Sequence, residues 1–387
     1  MEHFDVVIVG AGLAGLQCAR LLAKEGVRVC LADRKRSPAE SVHTTGIFVR
    51  RSLEDFDLPE DCLGQAVRHV TLYSPARRSL MLESTHDEFR IGRMGKLYMR
   101  YLDECVADGA RWLPCVRYAG CESDQPGSIV RFESGQNSLS VSARYVVGAD
   151  GARSSVARDL CLDQNSEWIV GVEDVFRNVP LEGEPRFHCF LDPGLAPGYL
   201  AWIVQDGEEV HVGVGGYAER FSPQAALEEF RIEAAKFVDL SKGERVERRG
   251  GRIPVGGILE RIANERGLLV GDAAGAVSPL TAGGLDPCLR LSSYAAHTII
   301  ESLSTENPSL MGNYNGNLFR SRFVSRIWMR RLMSWMGSAA MIEAGCAVAR
   351  LPIFKSLAWH VFFGRGSFPD IEQRVAPALS PRVTTAI

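Results

Sequence analysis

The chain opens on an unbroken apolar run, Val6-Val7-Ile8-Val9, between Asp5 and a glycine turn, which predicts a strand buried on both faces. After the glycines, Ala14, Cys18, Leu21 and Leu22 recur on one helical face until Lys24-Glu25-Gly26, a good helix stop. A second apolar run, residues 27–31, completes a βαβ unit over 5–35. Two further buried runs, Tyr145-Val146-Val147 and Leu268-Leu269-Val270, each lead through a Gly- and Asp-containing turn toward a helix. Between these runs the period changes to two: residues 71–90 and 168–252 alternate and are cut by turns such as Asp192-Pro193-Gly194, predicting an antiparallel sheet with a helix over 223–240. Helical spacing marks a segment opened by Arg93, with Leu97, Tyr101 and Cys105 on one stripe, and another over 285–301. It returns near the end, in Phe323, Ile327, Arg330, Arg331, Trp335 and Met336, then in Phe354, Leu357, Trp359 and Phe362-Phe363.

At 387 residues, with 46% hydrophobic and 24% charged positions, the chain is a globular protein of two or three domains. A net charge of -3 speaks against nucleic acid as partner. The charge is uneven, however: residues 311–387 hold ten Arg or Lys against three Asp or Glu, a net +7, leaving -10 on the other 310. Either a membrane surface or acidic partner meets this basic, aromatic region, with Arg326, Arg330 and Arg331 as contacts, or its arginines lie on a solvated helical face. The ten cysteines are scattered without metal-ligand spacing, so no metal is expected. With no signal peptide and no run of about 18 apolar residues, the expected location is cytoplasmic, with at most a peripheral membrane contact.

The turn after the first strand is Gly10-Ala11-Gly12-Leu13-Ala14-Gly15, a complete GxGxxG between strand and helix. Gly10 allows the tight turn, Gly12 lets a pyrophosphate approach, and Gly15 lets helix and strand pack, with Ala14 beside them. The diphosphate would rest on the helix N-terminus. Asp33, at the end of the second strand and next to Arg34, is placed for a ribose diol. This unit fits NAD and FAD equally.

The later segments distinguish them. Gly148-Ala149-Asp150-Gly151-Ala152-Arg153-Ser154 and Gly271-Asp272-Ala273-Ala274, followed by Ser278-Pro279-Leu280-Thr281-Ala282-Gly283-Gly284, stand in the order and spacing of a known group. With the N-terminal motif they resemble the FAD-dependent aromatic hydroxylases and geranylgeranyl reductases over most of the chain. The resemblance implies FAD, with Gly271-Asp272 at the ribityl chain, Asp150-Gly151 near the pyrophosphate, and Arg93 near the phosphates. It also places Gly283, Gly284 and Leu285 at the flavin pyrimidine edge, where the helix N-terminus can stabilise negative charge. Asp150 also fits an Asx-type turn, and Arg93 a solvated helix.

Pro279 to Leu285 looks more like the PLTGGGI pattern of the geranylgeranyl reductases than the late segment of the hydroxylases, and Gly198-Tyr199-Leu200-Ala201-Trp202 partly matches their GYAWIFP stretch. The odd spacing of Tyr199 and Trp202 would put the two rings on opposite faces of a strand. His43-Thr44-Thr45-Gly46 stands where many of these reductases carry a cysteine; Thr44 or Thr45 replaces that cysteine, and His43 is either a proton source or a plain turn residue.

The expected fold is α/β: a Rossmann-like FAD-binding domain (1–72, 91–160 and 256–303), an inserted antiparallel β-sheet substrate domain (73–90 and 161–255), and a helical C-terminal region (304–387). The expected function is an FAD-dependent oxidoreductase that reduces carbon-carbon double bonds of a hydrophobic or lipid substrate, with NAD(P)H or another reductant as electron donor. An FAD-dependent monooxygenase and a lipid- or partner-binding flavoprotein are the alternatives. His43, Thr45, Tyr199 and Trp202 are the expected catalytic residues.

Overall fold

The computed structural model describes residues 1–124, 127–181, 183–335 and 337–364. The first apolar run becomes the strand Glu2–Val9, and Val6, Val7 and Ile8 are fully buried in the main core. It pairs in parallel with Val29–Ala32 on one side and with Asn137–Gly148 on the other, Val6 lying opposite Val29 and Tyr145. Gly267–Leu269 and Arg111–Leu113 extend the parallel array at its two ends. An antiparallel hairpin, Arg117–Asp124 and Gly127–Ser134, leans on the long Asn137–Gly148 strand, and the short Ala263–Asn264 pairs antiparallel with Gly267–Leu269 to bring the sheet to eight strands. The helix Leu13–Lys24 packs against Met94–Ala107 and Leu285–Ser304.

The alternating segments form a seven-stranded sheet in the order Glu244–Pro254, Trp168–Arg177, Glu209–Gly216, Ala201–Gln205, Arg186–Phe190, His69–Tyr73 and Ser79–Leu82. All neighbours are antiparallel except Arg186–Phe190 with His69–Tyr73. Period-two alternation divides its side chains: Ala201 and Ile203 join an outer core with Leu227 and Phe230 of the helix Pro223–Ala234, while Trp202 and Val204 join an inner core with Val70, Phe89 and Phe363. That helix ends six residues before the expected 240, as the chain turns into a short 3₁₀ segment at Leu240–Lys242.

Two features lie outside the expected plan. The strand His69–Tyr73 already belongs to the second sheet, ahead of the boundary at 72. A small third sheet, Ile47–Val49, Phe89–Gly92 and Leu63–Val67, joins segments expected in the nucleotide domain to the linker before Met94.

The C-terminal region is helical over Val324–Trp335, Ala339–Ala349 and Pro352–Phe363. Met336, expected on the first of these, lies outside the described residues. The three arginines expected on one outer face part company. Arg330 is buried and donates to the Pro279 carbonyl at 3.0 Å, and Arg326 binds Ser278 Oγ at 3.2 Å. Arg331 is exposed. Arg326 and Arg330, four residues apart, share the face turned to Ser278 and Pro279, while Arg331, one residue further on, points about 100° away from Arg330. No single helix among the described residues is long and apolar enough to cross a membrane.

Candidate functional site

One cavity of about 1110 Å³ runs from the glycine turn, between the two large sheets, to the C-terminal helices. All the sequence-predicted site residues lie on its wall except Gly15 and Arg93. At the nucleotide end Gly10 has φ +107°, and a Cβ there would sit 2.3 Å from the Ala149 carbonyl oxygen. A Cβ on Gly15 would be 1.9 Å from the Gly10 oxygen, so Gly15 serves helix-strand packing and is covered. Gly12 differs from both. It has ordinary backbone angles and nothing within 4 Å of where its Cβ would be, so it keeps space open in front of the Leu13–Lys24 helix N-terminus. Ala14 and Arg34 flank this space.

Asp33 accepts a bond from the Ala11 amide at 2.7 Å and from the Lys35 amide at 2.8 Å, which ties the strand end to the glycine turn and leaves carboxylate lone pairs for a diol. Asp150 accepts from Ser154 Oγ at 2.6 Å and the Ser155 amide at 2.7 Å, so it caps the helix Ser155–Asp159 while facing the cavity beside Gly151. Both readings of Asp150 hold together. Asp272 is unlike the other two: half-buried on the cavity wall, its carboxylate has no hydrogen-bond partner among the described residues. Desolvation by burial pushes it up to about 6. The N-terminus of Leu285–Ser304, with Gly283 and Gly284 before it, opens onto the same wall.

Arg93 is a correction. It sits just ahead of Met94–Ala107 as expected, but its guanidinium pairs with Glu208 at 2.5 Å and does not reach the cavity. Helical periodicity located the helix start and could not give the direction of its first side chain. Arg34 and Arg153 are the arginines on the nucleotide side of the wall.

Toward the second sheet stands a polar cluster that the sequence reading missed. Glu173, on Trp168–Arg177, is buried, and its Oε2 accepts from Thr45 Oγ1 at 2.7 Å and from Trp202 Nε1 at 3.2 Å. Arg249 Nη1 and His211 Nδ1 each lie 3.6 Å from Oε1. Burial alone would raise this carboxyl; the His211 ring, the Thr45 hydroxyl and Arg249 outweigh it and hold Glu173 below the ordinary glutamate range. The available signal was a charged pair, Glu173-Asp174, inside an otherwise apolar strand.

Tyr199 and Trp202 overturn the opposite-faces expectation, since Tyr199 precedes the strand Ala201–Gln205 and escapes its alternation. The two rings meet edge to face with centroids 6.5 Å apart, and both line the cavity. Tyr199 donates from its hydroxyl to the Thr281 carbonyl at 2.7 Å. His43, exposed at the rim, faces the Gly250 carbonyl at 3.2 Å through Nδ1; partial desolvation and the Lys35 charge lower its pKa, so the ring is neutral at pH 7. Beyond Trp202 the wall turns apolar, through Leu72, Phe89, Phe187, Cys189, Phe362 and Phe363. Away from the cavity, Asp206, Glu209 and His211 gather within 4.8 Å, but turn amides already engage Asp206 and Arg177 engages Glu209.

Space kept in front of a helix N-terminus, an unpartnered carboxylate where a polyol chain would pass, and a second helix N-terminus beyond it suit a dinucleotide ending in a flavin, and with its apolar continuation this site is that of an FAD-dependent oxidoreductase. Residues 3–329 match the FAD binding domain family, and the chain belongs to it. It is 24% identical over 364 residues to the digeranylgeranylglycerophospholipid reductase of Thermoplasma volcanium, covering 89% of each chain. A geranylgeranyl bacteriochlorophyll reductase-like protein of Thermoplasma acidophilum has the same fold, with a TM-score of 0.82, 19% identity, and 98% of this chain and 100% of that one covered. The p-nitrophenol 4-monooxygenase of Pseudomonas putida shares the fold at a TM-score of 0.70 and 17% identity, over 94% and 100%. The resemblance read from the three motifs is borne out.

Proposed function

We propose that this protein reduces carbon-carbon double bonds of a long apolar, isoprenoid-like substrate, with electrons delivered to FAD by NAD(P)H or another reductant. The observation that carries the reading is the cavity of about 1110 Å³, whose lining beyond Trp202 is apolar through Leu72, Phe89, Phe187, Cys189, Phe362 and Phe363. The likeness to the Thermoplasma volcanium reductase supports the same class.

Bound FAD supplies the hydride; the protein supplies position, dryness and a proton. Gly10, Gly12 and Ala14 cradle the diphosphate, Asp33 and Arg34 take the adenosine ribose side, and Asp150 and Gly151 close the middle. Gly271 and Asp272 hold the ribityl hydroxyls, and Gly283, Gly284 and Leu285 set the pyrimidine edge. Tyr199 and Trp202 wall the reacting end of the chain. Thr45, whose hydroxyl donates to the ionised Glu173, carries the proton at this end of the cavity, and His43 stays at the rim.

Anaerobic mixing of dithionite-reduced, FAD-loaded protein with a polyprenyl alkene tests this. Reoxidation of the flavin with a product two mass units heavier supports it. Reoxidation only on admitting oxygen, with a product sixteen units heavier, sinks it in favour of a monooxygenase.

A further inference from the structure

The last two helices invert the usual arrangement of polar outside and apolar inside. Ala339–Ala349 and Pro352–Phe363 meet at a bend of 103°, and on their open side Ile353 is 82% exposed, Leu351 54% and Met341 48%, while Trp335, just before them, is 85% exposed. Isolated exposed apolar residues are ordinary, but six exposed large apolar side chains between Met341 and Trp359 mark an interaction surface. Charge narrows the partner. Residues 324–363 carry five Arg or Lys and a single acid, Glu343, and that acid is turned inward, accepting from the Ala76 amide at 3.0 Å. Two of the cations, Arg331 and Lys355, are exposed. Exposed apolar side chains in a segment with five cations and one inward-turned acid fit an anionic lipid surface, not a water-soluble protein surface.

The far end of the hairpin is fixed to the body. Trp359 Nε1 donates to the Glu83 carbonyl at 3.1 Å, and the Phe363 ring lies 5.9 Å from that of Phe89. Phe362 and Phe363 there form part of the cavity wall. The open face and the apolar end of the channel therefore belong to one element. Helices of 11 and 12 residues are each about 17 Å long, too short for a bilayer core of about 30 Å, so a pair bent this sharply lies within one leaflet.

We propose that the hairpin 339–363 embeds in one leaflet of an anionic bilayer and that its Phe362–Phe363 end is the door through which a lipid chain passes from the membrane into the cavity. The door rests on the function proposed above; the embedding does not. The test uses FAD-loaded protein and vesicles of phosphatidylcholine and phosphatidylglycerol at 3:1, comparing wild type with the double variant Trp335→Asp, Ile353→Asp. Wild type should co-sediment, with tryptophan emission that shifts to the blue and is quenched by brominated lipid. The double variant should bind at least tenfold more weakly with unchanged FAD content, and vesicles of phosphatidylcholine alone should bind wild type several-fold more weakly. Embedding is overturned if wild type stays in the supernatant, if the double variant binds equally well, or if the emission is already blue before lipid is added, as a second copy covering the face would cause. For the door, alkene reduction is followed in vesicles and in detergent micelles. Loss of turnover in vesicles alone supports it; equal turnover by both proteins in vesicles overturns it. Vesicle binding without reduction in either medium sinks the reductase reading and leaves the embedding standing.

Discussion

At the scale of single residues, two of the cavity's carboxylates, Glu173 and Asp272, solve opposite problems. Glu173 is buried, with Oε2 bonded by Thr45 and Trp202 and Oε1 facing Arg249 and His211 at 3.6 Å, so it is held ionised; Asp272 faces open space without a partner among the described residues and is pushed up to about 6. The shift fixes the sign of a pH effect. Between 3.8 and about 6 the folded apoprotein keeps a proton on Asp272 that the unfolded chain has lost, so stability from this group falls as pH rises through that window. A two-unit shift corresponds to about 3 kcal/mol at most. Asp272→Asn should therefore raise the apoprotein melting temperature at pH 7.5, lose that advantage near pH 4, and weaken FAD binding about 10- to 100-fold, the worth of hydrogen bonds to a charged group. Calorimetry of the apoprotein with a flavin fluorescence titration checks both halves, and wild-type FAD affinity in the variant would remove Asp272 from the ribityl site. Asp272 was legible because a strand ending in Gly-Asp is a strong local pattern. Glu173 was not, because its partners Thr45, Trp202, Arg249 and His211 come from four separate segments and one sequence displays no such convergence.

At the scale of elements, the strand-turn-helix unit was fully legible, and the structure shows why: each of its signals is enforced by local sterics. The three glycines nonetheless have different jobs, which yields a test that the motif alone would blur. Gly15→Ala forces a Cβ against the Gly10 carbonyl and should cost about 1–3 kcal/mol of apoprotein stability. Gly12→Ala meets only open space at an ordinary backbone angle, so apoprotein stability should move by less than about 1 kcal/mol while FAD affinity falls at least tenfold. Urea unfolding of the two apoproteins separates these outcomes; a Gly12→Ala protein as unstable as Gly15→Ala would assign Gly12 to packing. Misread elements failed for equally local reasons. Tyr199 was assigned to a strand that begins two residues later, at Ala201, and Arg93 was given a helix position without a side-chain direction.

At the scale of the whole molecule, two distant parts of the chain meet on the loop 278–284 that would face the flavin edge. Tyr199 reaches the Thr281 carbonyl from the second sheet, Arg330 reaches the Pro279 carbonyl from Val324–Trp335, and Arg326 reaches Ser278. Such convergence was illegible in the sequence, since periodicity shows which face of a helix is apolar and not which loop it covers. Arg330 is the costly member. It is buried with Nε and Nη2 unsatisfied, has no carboxylate partner among the described residues, and lies 5.1 Å from the centre of the Tyr217 ring. A buried guanidinium with so few partners contributes little net stability, and an apolar side chain of similar length usually replaces one without loss. Its retention makes sense if the bond to Pro279 holds the loop in its cofactor-ready shape. Arg330→Met should then leave the apoprotein melting temperature unchanged or higher while FAD affinity falls several-fold. Tyr199→Phe should weaken affinity too, and because both bonds hold one loop, the double variant should depart from additivity. A large drop in apoprotein stability with unchanged FAD affinity would instead mean that Arg330 serves the packing of the C-terminal helix and that the loop keeps its shape unaided.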